Sequence, residues 1–149
     1  MNQGYYRHAA IQGDRLAFIC EDDVWIAPLS GGPAARLTAT PGLCSTPRFS
    51  PDGSRIAFVA TDEGNAEVYA IPSDGGKPRR VTYLGGSLTA ISGWAPDGSE
   101  ILFVSNPNAW YERDTRAFAV SPNGGTPRPL NLGHMKSLSL GPGTRMVVG

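Results

Sequence analysis

Residues 47–82 contain one complete structural unit and read PRFSPDGSRIAFVATDEGNAEVYAIPSDGGKPRRVT. Pro51 presets φ for a turn, Asp52 can hydrogen-bond to its own backbone, and Gly53 tolerates positive φ, so we expect the chain to reverse direction here. Residues 56–59 follow as a short apolar run without polar alternation. Such a run is typical of a strand that is covered on both faces.

The second half of the unit predicts two further strands. Residues 68–71 form another apolar run, and the Asp-Gly-Gly sequence at 74–76 provides positive-φ positions that turn the chain back. Residues 79–82 are more polar, as expected of a strand at the outer edge of a sheet. With the strand that ends before the Pro51 turn, the unit therefore contains four short antiparallel strands.

Copies of this unit occur along the whole chain. Each copy has a turn glycine followed by an apolar strand, and these glycines are Gly13, Gly53, Gly98 and Gly143, spaced 40, 45 and 45 residues apart. Repeats of this length with four strands each are typical of a β-propeller. The alternative is an ordinary antiparallel sandwich with coincidental turns. Three copies of the same turns and strands in the same order argue against it.

The predicted fold class is therefore all-β, an incomplete β-propeller of about three and a third blades. The predicted segments are blade 1 at about 5–39, blade 2 at about 45–83, blade 3 at about 91–131 and the start of blade 4 at about 136–149.

Composition excludes some classes of partner. The 13 basic and 13 acidic residues cancel, which argues against binding to nucleic acid or to an anionic membrane. The longest apolar stretch is far shorter than a bilayer-spanning segment. No secretory signal is visible before the first strand, so we expect a cytoplasmic location.

No residue is predicted to be catalytic, to bind a cofactor or to hold a metal. The sequence lacks a Gly-x-Ser-x-Gly motif, a phosphate-binding Gly-rich loop after a strand and a His-Glu-x-x-His motif. His8 and His134 occupy non-equivalent repeat positions without ligand-spaced cysteines or carboxylates. Hydrogen bonding to local backbone explains the turn serines Ser50, Ser54, Ser73, Ser99 and Ser121.

The cysteines and the densest acidic cluster also receive structural interpretations. We expect two reduced thiols, with Cys20 buried at the end of a strand and Cys44 in the linker before the second repeat. Glu21, Asp22 and Asp23 are expected to be solvated in a loop that joins two strands.

Two family resemblances add to this interpretation. The repeat at residues 50–58, with its later Gly-Gly pair, resembles the TolB-type propeller repeat. A second resemblance rests on Gly4-Tyr5-Tyr6-Arg7, Gly13-Asp14, residues 18–25, Arg36-Leu37-Thr38, residues 80–86 and residues 129–133. These segments are similar to the start of the tricorn protease family, and the resemblance covers essentially all 149 residues. The repeat match is weaker before Gly13, where Pro-Asp is absent, and at Leu140-Gly141-Pro142-Gly143.

The tricorn resemblance implies a large cytoplasmic serine peptidase, assembled as a hexamer, that degrades peptides released by the proteasome or similar machines. In that family a six-bladed propeller precedes a seven-bladed propeller, a PDZ-like domain and the catalytic domains. This chain would be about the first half of the first propeller. The family's nucleophilic serine and its histidine lie far downstream, so no catalytic role is assigned to any residue here.

The implied role of the segment is the wall or gate of a peptide channel. Propeller blades turn their first strands toward the axis, where small or polar side chains are expected. The candidates for this position are Ser45, Thr46, Ser92 and Ser137. In the long loop at residues 106–115, Trp110 and Tyr111 are candidates for contact with a neighbouring domain or subunit.

Two other functions remain open on the sequence. One is a TolB-like propeller that binds protein partners and catalyses nothing. The other is the propeller of a prolyl-oligopeptidase-like enzyme, whose α/β-hydrolase domain would carry a Gly-x-Ser-x-Gly motif. All three share this fold, so fold class does not separate them.

We predict that residues 1–149 alone associate or misfold. An unpaired blade face that exposes about four large apolar side chains forgoes roughly 6–12 kcal/mol, which rivals the stability of a whole domain. Sedimentation velocity combined with a thermal melt tests this prediction. A monomeric preparation that melts cooperatively would contradict it.

Overall fold

The computed structural model describes residues 5–62, 64–87, 89–107, 114–140 and 146–149. Within these residues the regular secondary structure consists of strands, all of them paired antiparallel. This confirms the predicted all-β class. Trp110, Tyr111 and Gly143 lie outside the described residues, so the predictions that concern them stay predictions.

Three successive four-stranded sheets follow one another along the chain, each with its strands in sequence order. Sheet 1 consists of β1 (Arg7–Gln12), β2 (Arg15–Cys20), β3 (Asp23–Pro28) and β4 (Ala35–Arg36). Sheet 2 consists of β5 (Cys44–Phe49), β6 (Arg55–Ala60), β7 (Glu67–Pro72) and β8 (Arg79–Arg80). Sheet 3 consists of β9 (Thr89–Trp94), β10 (Ile101–Ser105), β11 (Arg116–Val120) and β12 (Arg128–Pro129). A two-stranded sheet 4 consists of β13 (Leu138–Leu140) and β14 (Met146–Val148).

The first turn of sheet 2 has the predicted chemistry. In sheet 2, Gly53 has φ of 70°, and the Asp52 carboxylate accepts the N–H of Ser54 at 3.1 Å and the hydroxyl of Ser50 at 2.6 Å. These hydrogen bonds lower the pKa of Asp52 to about 2. The turn therefore carries an ionised carboxylate that holds its own backbone.

The second strand of sheet 2 is buried on both faces, as predicted. Ala57 and Val59 face a cluster shared with sheet 3, whereas Ile56, Phe58 and Ala60 face a cluster shared with sheet 1. Because alternate side chains of a strand point to opposite faces, only a strand between two neighbouring sheets can be apolar throughout.

The contacts between sheets follow one pattern. The face directed toward the preceding sheet carries a stacked aromatic pair, Phe58–Tyr69 in sheet 2 at 5.7 Å and Phe103–Phe118 in sheet 3 at 5.6 Å between centroids. The opposing faces present smaller aliphatic residues, namely Ala17, Ile19 and Val24 in sheet 1 and Ala57, Val59, Val68 and Ala70 in sheet 2. Large rings thus pack against small side chains at both junctions.

The first strands lie closest to one another. β1 packs beside β5, β5 beside β9 and β9 beside β13. The sheets therefore radiate from their first strands, and the architecture is that of an incomplete propeller, as predicted from the repeats.

The fourth strand of sheet 2 is shorter than predicted. It ends at Arg80, although residues 79–82 were expected to form it. The cause is Thr82, whose Oγ1 accepts the N–H of Val68 at 2.9 Å in place of a backbone carbonyl. Val81 and Thr82 are buried, so this edge is less polar than the sequence suggests.

The interpretation of Cys44 as a linker residue was wrong. Cys44 is the first residue of β5 and is buried, because its N–H donates to the Asp22 carbonyl at 2.8 Å and ties β5 to sheet 1. Burial raises the pKa of its thiol. Cys20 is buried as well, and both thiols are free of disulfides, as predicted.

We predict that Phe58→Ala lowers the free energy of unfolding by about 3–5 kcal/mol, because it leaves a cavity between sheets 1 and 2. Phe58 is fully buried. Urea denaturation of the full-length protein measures the change, and Leu43→Ala, at an exposed site, is the control with an expected loss under about 1 kcal/mol. Equal losses in the two variants would show that the ring does not hold the sheets together.

Candidate functional site

The first strands of sheets 1, 2 and 3 each contain a pairing irregularity. The pairing register shifts between Arg7 and Ala10 in β1, between Ser45 and Arg48 in β5, and beside Ser92 in β9. Such bulges redirect side chains and are frequent next to functional sites. The predicted channel residues Ser45 and Ser92 therefore lie at or beside bulges.

Thr46 has an unusual backbone conformation at its bulge. Its φ is 46°, a left-handed value that is strained for a β-branched residue. The Thr46 hydroxyl accepts the N–H of Ile91 at 3.1 Å and so links β5 to β9. The structure thus brings Thr46 beside Ser92, the neighbour of Ile91. Both side chains are half-buried, as is Ser45, whereas Ser137 is exposed and its backbone pairs with Gly149.

The prediction that Asp23 is solvated was wrong. Asp23 is 2% exposed and begins β3, where its carboxylate accepts the Thr38 hydroxyl at 2.6 Å and lies 2.5 Å from Arg36 Nη2. Thr38 accepts the N–H of Val24 at 2.9 Å, and Arg36 Nε donates to the Thr38 carbonyl at 2.8 Å. Glu21 and Asp22 are exposed in the turn, as expected.

Sheet 2 repeats this arrangement with a glutamate. The Glu67 carboxylate accepts the Thr82 hydroxyl at 2.5 Å and the Gly85 N–H at 2.8 Å, and it lies 3.4 Å from Arg80 Nη2. Arg80 Nε donates to the Thr82 carbonyl at 2.9 Å. We call Asp23–Arg36–Thr38 and Glu67–Arg80–Thr82 the carboxylate clasps. Each clasp fastens the short outer strand to the body of its sheet.

The pKa of Glu67 reflects two opposing effects. Burial raises this pKa, but the hydrogen bonds from Thr82, Gly85 and Leu84, together with the charge of Arg80, lower it by more than burial raises it. The net pKa lies below the usual value of 4.5. Glu67 is therefore an ionised carboxylate with a structural role.

Sheet 3 lacks a carboxylate clasp. Arg116 replaces the acid at the start of β11, Pro129 replaces the arginine, and Asn131 replaces the threonine. Asp114 lies 2.5 Å from His134 Nδ1 and 3.6 Å from Arg116 Nε. A cavity of about 430 Å³ opens at this edge between Arg116 and His134.

The turn serines bond mainly within the turns, but Ser54 and Ser99 donate to turn aspartates and not to the local backbone that was predicted. Ser50 and Ser54 donate to Asp52, and Ser99 donates to Asp97. Ser121 accepts the nearby N–H of Asn123. Ser73 differs because it is buried and donates to the Gly53 carbonyl in another turn at 2.7 Å.

Within the part of the chain that the structure describes, no group of three or more His, Cys, Asp and Glu side chains is suited to hold a metal ion. The same residues include no helix long and apolar enough to cross a membrane.

The family model, the relatives and the solved structure that follow all point to the same family. Residues 3–149 match the family described as "Tricorn protease N-terminal beta propeller domain". Tricorn protease homolog 1 of Streptomyces coelicolor is 37% identical over 140 residues, which are 94% of this chain and 13% of that protein. The putative tricorn-like protease N-terminal subunit of Sulfurisphaera tokodaii is 28% identical over 93% of this chain and 71% of its own length. The crystal structure of the tricorn protease superposes with a TM-score of 0.84 at 27% identity, over 97% of this chain and 15% of that one.

We predict that Glu67→Gln lowers the free energy of unfolding by about 1.5–3 kcal/mol at neutral pH, because it removes charge-assisted hydrogen bonds. The folded-state pKa of Glu67 is lowered, so the clasp stabilises the protein fully above the unfolded value of 4.5 and is lost as the pH falls through the folded-state pKa. The difference between variant and wild type should therefore shrink at about pH 3.

Urea denaturation of the full-length protein at both pH values measures this effect, and Asp74→Asn is the matched control at an exposed turn. A Glu67→Gln difference that is independent of pH, or equal to that of the control, would contradict the structural role of the clasp.

Proposed function

Since the chain belongs to the tricorn protease N-terminal β-propeller family, we propose that it forms the first part of a propeller in a larger cytoplasmic serine peptidase that degrades oligopeptides. The family match over residues 3–149 carries this proposal. The chain spans 13% of the S. coelicolor relative, so the catalytic groups would lie in regions outside these residues. The chain itself contributes a scaffold.

The proposed role of this scaffold is to form part of the wall or gate of a peptide channel. The sheets would be the blades at about 5–39, 45–83 and 91–131, with a fourth beginning at about 136. The adjacency of β1, β5, β9 and β13 supports this role, because innermost strands surround the axis of a propeller. Ser45, Thr46 and Ser92 would then offer peptides a small, polar wall, with Ser137 continuing it.

The proposed partners are the remaining blades, the downstream domains and further copies in a hexamer. Sheet 1 supports the first of these, because its outward face pairs Phe18 with Trp25 at the position of the buried Phe58–Tyr69 pair. In the structure this face is covered in part by Tyr6, whose ring lies 5.4 Å from that of Phe18. The relative from S. tokodaii is named a subunit, so the completing blades could belong to the same chain or to a second one.

The test is cleavage of short fluorogenic peptides by the full-length protein. We expect cleavage. We also expect Ser92→Trp to lower kcat/KM for long peptides at least about threefold more than it lowers kcat/KM for dipeptide reporters, because a bulky ring would narrow the channel. Ser30→Trp, at an exposed turn away from the first strands, is the control.

Failure of the folded full-length protein to cleave any peptide would contradict the peptidase and favour a non-catalytic binding propeller. Cleavage that Ser92→Trp leaves unchanged would instead contradict the channel role alone.

A further inference from the structure

Sheets 1 and 2 are joined at their turns by one guanidinium group. Arg15 Nη1 donates to Ser73 Oγ at 2.8 Å, and Nη2 donates to the Gly53 carbonyl at 2.6 Å. The guanidinium carbon lies 5.3 Å from the centroid of the Phe49 ring, within range of a cation–π contact. Carbonyl, hydroxyl and ring together hold this cation between the two sheets.

Sheets 2 and 3 meet in the same way, but no guanidinium group of the described part of the chain lies between their turns in the position that Arg15 occupies between sheets 1 and 2. By strand register, Arg55 is the residue that corresponds to Arg15 at this junction. Trp94 takes the place of Phe49, Gly98 that of Gly53, and Pro122 that of Ser73. Proline has neither the hydroxyl nor the N–H of serine. Arg55 donates instead to Asn123 Oδ1 at 3.2 Å. None of the described residues donates a hydrogen bond to the Gly98 carbonyl.

The result is a cleft of about 440 Å³ between the turns of sheets 2 and 3. Its lining includes Trp94, Gly98, Arg55 and the two turn carboxylates of Asp52 and Asp97. Hydrogen bonds from Ser99 lower the pKa of Asp97, and those from Ser50 and Ser54 lower that of Asp52. Two negative charges thus face one positive charge, so the cleft favours a cation.

We propose that this cleft binds the guanidinium group of an arginine side chain in a peptide. The Gly98 carbonyl, which accepts no hydrogen bond from a described residue, and the two carboxylates can accept hydrogen bonds, and guanidinium is a planar cation that only donates them. Trp94 offers the ring type that binds cations best. The ligand would therefore occupy the place that Arg15 fills one junction earlier. The site lies at the turns and not along the first strands, so it stands whether or not those strands line a channel.

Equilibrium dialysis of the full-length protein, with its proposed peptidase activity blocked by a serine-directed inhibitor, against labelled Nα-acetyl-arginine amide tests the proposal. We expect saturable binding, and binding at least about tenfold weaker for the citrulline analogue, which has the same shape without the charge. An octapeptide with one internal arginine should bind at least as tightly as the capped amino acid. Equal binding of the citrulline analogue, or exclusion of the octapeptide, would overturn the proposal.

Variants then assign the binding to this cleft. Pro122→Ser should abolish it, because a serine hydroxyl there re-creates the arrangement of Ser73 and draws Arg55 to the Gly98 carbonyl. Asp97→Asn should weaken binding by about three- to fivefold, as expected for one exposed ion pair. Asp14→Asn, which removes a carboxylate from an exposed turn of sheet 1, is the charge-matched control and should change nothing.

Binding that survives both Pro122→Ser and Asp97→Asn unchanged would place the guanidinium elsewhere and overturn the proposal. Circular dichroism spectra confirm that each variant is folded before it is compared. Because peptide cleavage is not the readout, the proposed peptidase activity and this site fail or succeed separately.

Discussion

Packing of one sheet face against the next is the interaction on which the rest of the structure depends. Each central strand is apolar on both sides, so a single sheet cannot hide its hydrophobic surface and becomes stable only between two others. The stacked pair Phe58–Tyr69 occupies the space that the small residues Ala17 and Val24 leave open. Sheet 3 repeats this fit against sheet 2, which fixes the distance and angle between neighbours. The positions of the first strands, the turns and the cleft all follow from that repeated contact.

Polar contacts act at the margins of this packing. The carboxylate clasps close the outer edges of sheets 1 and 2, where strands of two residues have too few ladder hydrogen bonds to hold by themselves. A buried carboxylate is costly unless it is fully paired, and Asp23 and Glu67 meet this condition with threonine and arginine partners. The clasps therefore turn a weak edge into a defined one.

Variation among the repeats is where function can arise on a scaffold of this kind. Thr46 and Ser92 lie at bulges of adjacent first strands, and Thr46 holds a strained conformation there. Pro122 replaces Ser73, which leaves an open, negatively charged cleft where the preceding junction is filled. Sheet 3 also lacks a clasp and carries Arg116 and His134 at its edge. The repeated parts provide rigidity, whereas these departures from the repeat give each junction a surface of its own.

Local chemistry in the sequence was sufficient for the fold. The turn at Asp52 and Gly53, the apolar run of β6 and the spacing of the repeats each depend on residues close together in the chain, so they were predicted correctly. The burial of Asp23 and Cys44 and the early end of β8 were not predicted, because each depends on a partner that is distant in the sequence. Thr38 lies 15 residues from Asp23, and no periodicity marks that pair. The cleft beside Pro122 likewise exists only because two turns from different sheets meet. Strand identity is thus a local property of this chain, whereas the environment of a polar side chain is decided by which distant segments the tertiary structure brings beside it.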